Sequence, residues 1–84
     1  MDEITVTSKH IAKGKRSSSN KCPIALALKD KFRDNWVNVN RIYIEVKGKF
    51  YRVPQSVKDF IGNFDTLGKG KPFSFLLKSI WHKD

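Results

Sequence analysis

The chain has 84 residues and carries 17 lysines and arginines against 8 aspartates and glutamates, a formal net charge of +9. That length holds one domain, residues 1–84, with one core and no room for a deep cleft beside it. The content, 39% hydrophobic and 12% aromatic, excludes a disordered basic tail.

No apolar run approaches the roughly 18–20 residues of a membrane span, so no membrane partner is expected. The opening Met-Asp-Glu-Ile-Thr-Val lacks the basic start and apolar stretch of a signal peptide, and the expected location is intracellular. A single cysteine excludes an internal disulfide and an all-cysteine zinc site.

In chain order, the apolar–polar alternation of Ile4-Thr5-Val6 predicts a first strand. Ser8 offers a cap for a short helix from Lys9 to Lys13, stopped by Gly14. Residues 14–21, Gly-Lys-Arg-Ser-Ser-Ser-Asn-Lys, form a polar, basic, serine-rich loop. Pro23 suits a first helical turn, with Asn20 or Cys22 near the cap. Ile24, Leu28 and Phe32 then step by four, with Ala25 beside them, to give one apolar face. Leu26 falls off that face, which implies burial on more than one side.

Residues 36–53 read as strands: Val37 and Val39 alternate with asparagines, and Ile42, Ile44 and Val46 alternate with Tyr43, Glu45 and Lys47. Lys47-Gly48-Lys49 predicts a tight hairpin turn into Phe50–Val53, which Pro54 ends. Ser56 and Asp59 suggest a capping box for a helix whose stripe is Val57, Phe60, Ile61 and Phe64, closed by Gly68. After the loop Gly68–Pro72, Phe73, Phe75 and Leu77 alternate as a last strand, with Ile80–Asp84 as its tail. The order predicts an α+β fold: a mainly antiparallel sheet with two or three helices packed on one face.

The parts of an active site are missing from this pattern. None of the eight carboxylates pairs with a second acid or a histidine in a spacing that recurs in enzymes; Asp59 reads as a helix cap and Asp30 and Asp34 as a solvated helix end. His10, Cys22 and His82 are too scattered for the short spacings of metal sites, so no metal is expected. Cys22, at a helix N-terminus beside Lys21, invites a lowered thiol pKa; the competing reading is a small packed residue next to the cap. Gly14–Ser19 lacks the second glycine and the Gly-Lys-Ser/Thr ending of a phosphate-cradling loop, although its cations, hydroxyls and the following helix amides suit an anion. The expectation is a protein that is not an enzyme and carries no cofactor.

The charge is uneven. Lys9, Lys13, Lys15, Arg16 and Lys21 form an acid-free stretch. Lys47 and Lys49 sit in the hairpin, Lys69 and Lys71 in the glycine loop, and Arg52 nearby; two basic tips on one edge would make a continuous positive rim. Such a rim suits phosphate backbones, and exposed aromatics, for which Trp36, Tyr43, Tyr51 and Trp81 are the candidates, would add stacking. Lysine outnumbers arginine 13 to 4, which argues against base-specific readout. A competing class is a protein-binding module, anchored on an acidic protein by Phe50, Tyr51, Trp36 and Trp81.

The string Val6-Thr7-Ser8-Lys9-His10-Ile11-Ala12-Lys13-Gly14, the run Cys22-Pro23-Ile24-Ala25-Leu26-Ala27-Leu28, then Phe60-Ile61-Gly62-Asn63-Phe64-Asp65 and Pro72-Phe73-Ser74-Phe75 span nearly the whole chain. Together they resemble a group of small phage and prophage proteins with no assigned chemistry. The resemblance implies one fold unit, a bacterial host cytoplasm or virion association, and no catalytic residue; it also suggests that His10 and Cys22 pack together between the first two helices. The resulting expectation is a small phage-type protein that binds nucleic acid or a nucleoprotein complex without base-specific readout. The alternative is an inhibitor or adaptor acting on a host defence or transcription complex.

Overall fold

The computed structural model describes residues 2–79, with side chains described for residues 3–77. The elements are β1 (Asp2–Val6), α1 (Ser8–Lys13), α2 (Pro23–Phe32), β2 (Val37–Val39), β3 (Tyr43–Val46), β4 (Lys49–Arg52), α3 (Gln55–Leu67) and β5 (Phe73–Ser79). The fold is α+β. Five strands run in the order β1-β5-β4-β3-β2, each antiparallel to its neighbour.

The sheet has two halves. β1 and β5 pair over five residues, and β2, β3 and β4 form a meander. Among the described residues the halves join where Tyr51 and Arg52 meet Ser79 and Lys78, and Pro54, which has no N–H, follows close beyond that contact.

Register decides which side chains face the helices, since paired residues share a face. Ile4 with Phe75, Val37 with Val46, and Val39 and Tyr51 with Ile44 all lie on the inner face. They join Ile24, Ala25, Ala27 and Leu28 of α2 and Val57, Phe60 and Phe64 of α3 in one core cluster. α2 and α3 bury their apolar stripes against this face, whereas α1 has no buried residue and packs on α2, with Ile11 half-buried against the cluster. The outer face holds Glu3, Thr5, Ser74, Leu76, Phe50, Arg52, Tyr43, Glu45 and Asn38.

Local chemistry explains several boundaries. Thr7, one residue earlier than the expected Ser8, caps α1: its Oγ1 accepts from the His10 amide at 3.3 Å while its own amide donates to His10 Nδ1 at 3.0 Å. This is a capping box with histidine in the usual Glu/Gln place. Cys22 caps α2, with Sγ accepting from the Ala25 amide at 3.4 Å. The loop packs tightly there: a Cβ on Gly14 would stand 2.5 Å from the Pro23 ring.

The capping box expected from Ser56 and Asp59 does not form. α3 starts at Gln55 with Pro54 as its N-cap, whose carbonyl accepts from Val57 and Lys58, and Asp59 Oδ1 accepts instead from Gln55 Nε2 at 3.0 Å. Leu26, expected to be buried on a second side, is half-exposed.

Two turns set the meander. Asn40 Oδ1 accepts from the Ile42 and Tyr43 amides at 2.7 and 2.8 Å, a side-chain-closed turn that starts β3 at Tyr43. It also throws Ile42 outward to 79% exposure, so Ile42 is not part of the apolar row its spacing suggests. At the hairpin, Lys47 and Gly48 have φ of 54° and 73°, the left-handed pair of a type I′ turn, whose twist matches the strands.

Candidate functional site

The loop of residues 15–21 is stitched to the core at one end of the sheet. The Lys15 amide donates to the Lys21 carbonyl at 2.8 Å, closing the loop and setting these two exposed lysines opposite each other. The Val39 amide donates to the Ser19 carbonyl at 2.7 Å. Arg16 is spent on α3: Nε and Nη2 donate to the Asp65 carbonyl at 3.0 and 2.8 Å, and Nη2 donates to the Thr66 carbonyl at 2.8 Å. These are carbonyls of the last turn, which lack helical donors, and a cation suits the negative end of the helix. The Ser17 amide donates to Asp65 Oδ1 at 2.8 Å.

Strand register then separates the expected basic tips. Val37 pairs with Val46 just before the Lys47–Gly48 turn, whereas Val39 bonds Ser19 of the loop. β5 pairs Ser79 with Tyr51, so its beginning at Phe73, and the Lys69–Lys71 loop before it, point away from the hairpin turn. Lys15, Lys21, Lys69 and Lys71 therefore lie toward one end of the sheet and Lys47 and Lys49 at the other. The two glycine turns do not share an edge, because each crossing of an antiparallel strand reverses the end at which its turn sits.

Lys9 and Lys13 are exposed on α1, where with Lys29, His10 and Asp30 they line a shallow cleft between α1 and α2. His10 Nε2 lies 2.6 Å from Asp30 Oδ2. Because the Thr7 amide must donate to Nδ1, the ring is the Nε2–H tautomer and donates to Asp30. Both ring nitrogens are thus occupied. An aspartate–histidine pair does exist, twenty residues apart in sequence, and depends on the antiparallel packing of α1 on α2. His10 does not pair with Cys22: its ring is held by Thr7 and Asp30, while the thiol faces the start of α2.

Burial pushes the Cys22 thiol pKa up, against the smaller lowering effect of the Ala25 and Ile24 amides. Cys22 is 6% exposed and belongs to the core cluster, which favours the reading of a small packed residue.

On the outer face, Tyr43 and Phe50 meet edge to face with ring centroids 5.1 Å apart. Arg52 is exposed directly across from Tyr43 on the neighbouring strand. Beside them, Asn38 Nδ2 donates to Glu45 Oε1 at 3.3 Å. Trp36, 71% exposed, immediately precedes β2 near the Lys47–Gly48 turn. Tyr51 differs: paired with Ile44, it turns inward and packs against the core. Trp81 lies outside the described residues.

The sequence reasoning missed three features. Thr7-x-x-His10 carried a cap signal that a search for Glu or Gln at that place overlooks. Arg41, which lines a depression with Ser17–Ser19, Asn40 and Asp65, stood alone in sequence between two strands. The commitment of Arg16 to α3 had no local signal at all, its partner carbonyls being 49 and 50 residues away.

Among the described residues, no group of three or more His, Cys, Asp or Glu side chains converges as a metal site, and no helix is long and apolar enough to cross a membrane. No protein-family model, curated protein or solved structure matches this chain.

Proposed function

We propose that this chain is a non-enzymatic binding protein whose ligand is the phosphate backbone of a nucleic acid, free or within a nucleoprotein complex, contacted without base-specific readout. One observation carries the reading: among the described residues no lysine or arginine lies within 4.0 Å of a carboxylate oxygen. The positive charge is therefore not neutralised internally. Lys9, Lys13, Lys15, Lys21, Lys47, Lys49, Arg52, Lys69 and Lys71 all stand exposed. Each phosphate such a side chain neutralises releases condensed counterions, and this gain is independent of sequence.

A protein partner is the second reading. Trp36 at 71% and Ile42 at 79% exposure are large apolar groups in water, and aromatic anchors dominate protein interfaces.

Titration of the protein with short single- and double-stranded DNA and RNA at low and physiological salt separates the two. Phosphate contact gives binding at low salt that falls steeply as salt rises. Absence of binding to all four at low salt overturns the lead and favours the aromatic-anchored interface.

A further inference from the structure

The sheet splits between β4 and β5, and the split leaves part of the β5 main chain without a neighbouring strand. We infer that the Ser74–Leu76 edge of β5 takes the C-terminal residues of a partner protein as a short added strand, with their terminal carboxylate at Arg52. Neither this edge nor its test depends on the phosphate-binding reading above.

Register identifies the groups concerned. The Val39 amide donates to Ser19, outside the sheet, and the Asn40 amide donates to Tyr43, so the main chain of Val39 points away from β3. Main-chain groups along a strand point alternately to its two sides. Val39 pairs with Ile44, Ile44 with Tyr51, and Arg52 with Lys78. Carried across these pairs, the alternation turns Ile44 toward β4 and Tyr51 toward β3, and it turns Arg52 and Lys78 toward each other. The N–H and C=O of Leu76 and Ser74 therefore face the β4 side, while those of Phe75 and Leu77 face β1.

The strand that would meet them has left. Continuing the register from Arg52 and Lys78 would set Pro54 opposite Leu76, but Pro54 has no N–H and its carbonyl accepts from Val57 and Lys58 of α3. Among the described residues no main-chain group bonds Ser74 or Leu76 on this side. Between them lies a slot of about 400 Å³, lined by Arg52, Pro54, Ser56, Ser74, Phe75 and Leu76.

The slot's chemistry selects its occupant. Donors and acceptors alternate along the edge, with the two amides about 6.6 Å apart, so a small anion would meet a carbonyl beside each donor. A second backbone, alternating at the same spacing, satisfies all four groups. The Arg52–Lys78 rung closes one end of the slot, so an entering strand must end there and cannot run through. Among the described residues Arg52 is the one charged side chain lining the slot, and a guanidinium at the closed end suits a carboxylate and repels an α-ammonium. β5 runs from Phe73 toward that closed end, so the added strand lies parallel to it. Leu76, 46% exposed, gives the penultimate side chain an apolar neighbour.

The test uses the intact, isotope-labelled chain and a synthetic pool of random pentapeptides at millimolar concentration, made once with a free C-terminal carboxylate and once with a C-terminal amide. Main-chain pairing tolerates many sequences, so a pool is a sufficient probe. Amide spectra and hydrogen exchange follow Ser74, Phe75 and Leu76.

In the protein alone, the Ser74 and Leu76 amides are expected to exchange about ten-fold or more faster than that of Phe75. The free-acid pool should shift and protect both, about five-fold more strongly than the amidated pool. Arg52→Gln, an exposed change, should lower the free-acid pool to the level of the amidated one. A Leu76 amide as protected as that of Phe75 before any peptide is added would mean that this chain or a second copy already fills the edge, and would overturn the inference. So would shifts that are absent with both pools, or equal with both. Should Arg52→Gln fail to fold, the comparison of the two pools on the unaltered chain decides. Oligonucleotide titration at low salt tests the phosphate-binding reading separately, so each can fail alone.

Discussion

Cys22 shows how one side chain's surroundings reverse its expected chemistry. A helix N-terminus and a neighbouring lysine favour thiolate, yet burial dominates and raises the pKa above the ordinary 9.0. Alkylation by iodoacetamide at neutral pH is expected to be many times slower in the native protein than in denaturant; equal rates would show an open, ionised thiol. The same shift has a sign in stability. The folded state holds the proton more tightly than the unfolded chain, so this contribution is complete below about pH 9 and is lost as pH rises toward the folded pKa. Stability above pH 9 should therefore fall more in the native chain than in Cys22→Ser, measured by denaturant melts of both.

Arg16 is the complementary case, a nominated ligand-binding cation whose guanidinium is already engaged. Removing it with Arg16→Gln leaves the Asp65 and Thr66 carbonyls without their donor and should cost about 1 kcal/mol, or roughly 4–8 °C in melting temperature. Arg16→Lys should recover only part, because an ammonium cannot fork across two carbonyls. A melting temperature unchanged in Arg16→Gln would show that the contact stabilises nothing.

At the scale of elements, the turn between β3 and β4 offers a direct test of local conformation. Lys47 holds φ at 54°, a left-handed conformation that costs a β-carbon-bearing residue energy and that asparagine tolerates better. Lys47→Asn should raise stability by about 0.5 kcal/mol. Chemical denaturation reads this, and a loss of stability would mean that the lysine stem packs against the sheet end. The Lys-Gly pair was legible because a glycine between two alternating runs marks a hairpin, and α2 was legible from Pro23 and its four-residue apolar steps. The start of α3 was not, since a serine three residues before an acid satisfies the cap pattern whether or not the helix begins two residues earlier. Ile42 misled for a related reason: period-2 spacing continues through a residue that Asn40 has already pulled into a turn. Local pattern reports which residues prefer an element, whereas the side-chain-to-backbone bonds at its ends decide where it stops.

For the whole molecule, the charge was countable from the sequence but its geometry was not, because antiparallel register alone determines which end of the sheet each turn occupies. Lys47 and Lys49 sit at one end, and Lys15 and Lys21 at the other. If a strand of nucleic acid lies along the sheet, both ends neutralise phosphates, and the dependence of affinity on salt should report them separately. For single strands each lost phosphate contact lowers the slope of log affinity against log salt by about 0.7. The double variant Lys47→Gln/Lys49→Gln should therefore flatten the slope by about 1.4, and Lys15→Gln/Lys21→Gln by a similar amount. Sites this far apart, sharing no partner, should act additively in the quadruple variant. Arg16→Gln should change the slope less than either pair, since its guanidinium is held by the Asp65 and Thr66 carbonyls of α3. A wild-type slope near zero would remove phosphate from the account and leave the exposed Trp36 and Ile42 as the surface to pursue; a slope altered by one pair alone would confine the strand to that end of the sheet.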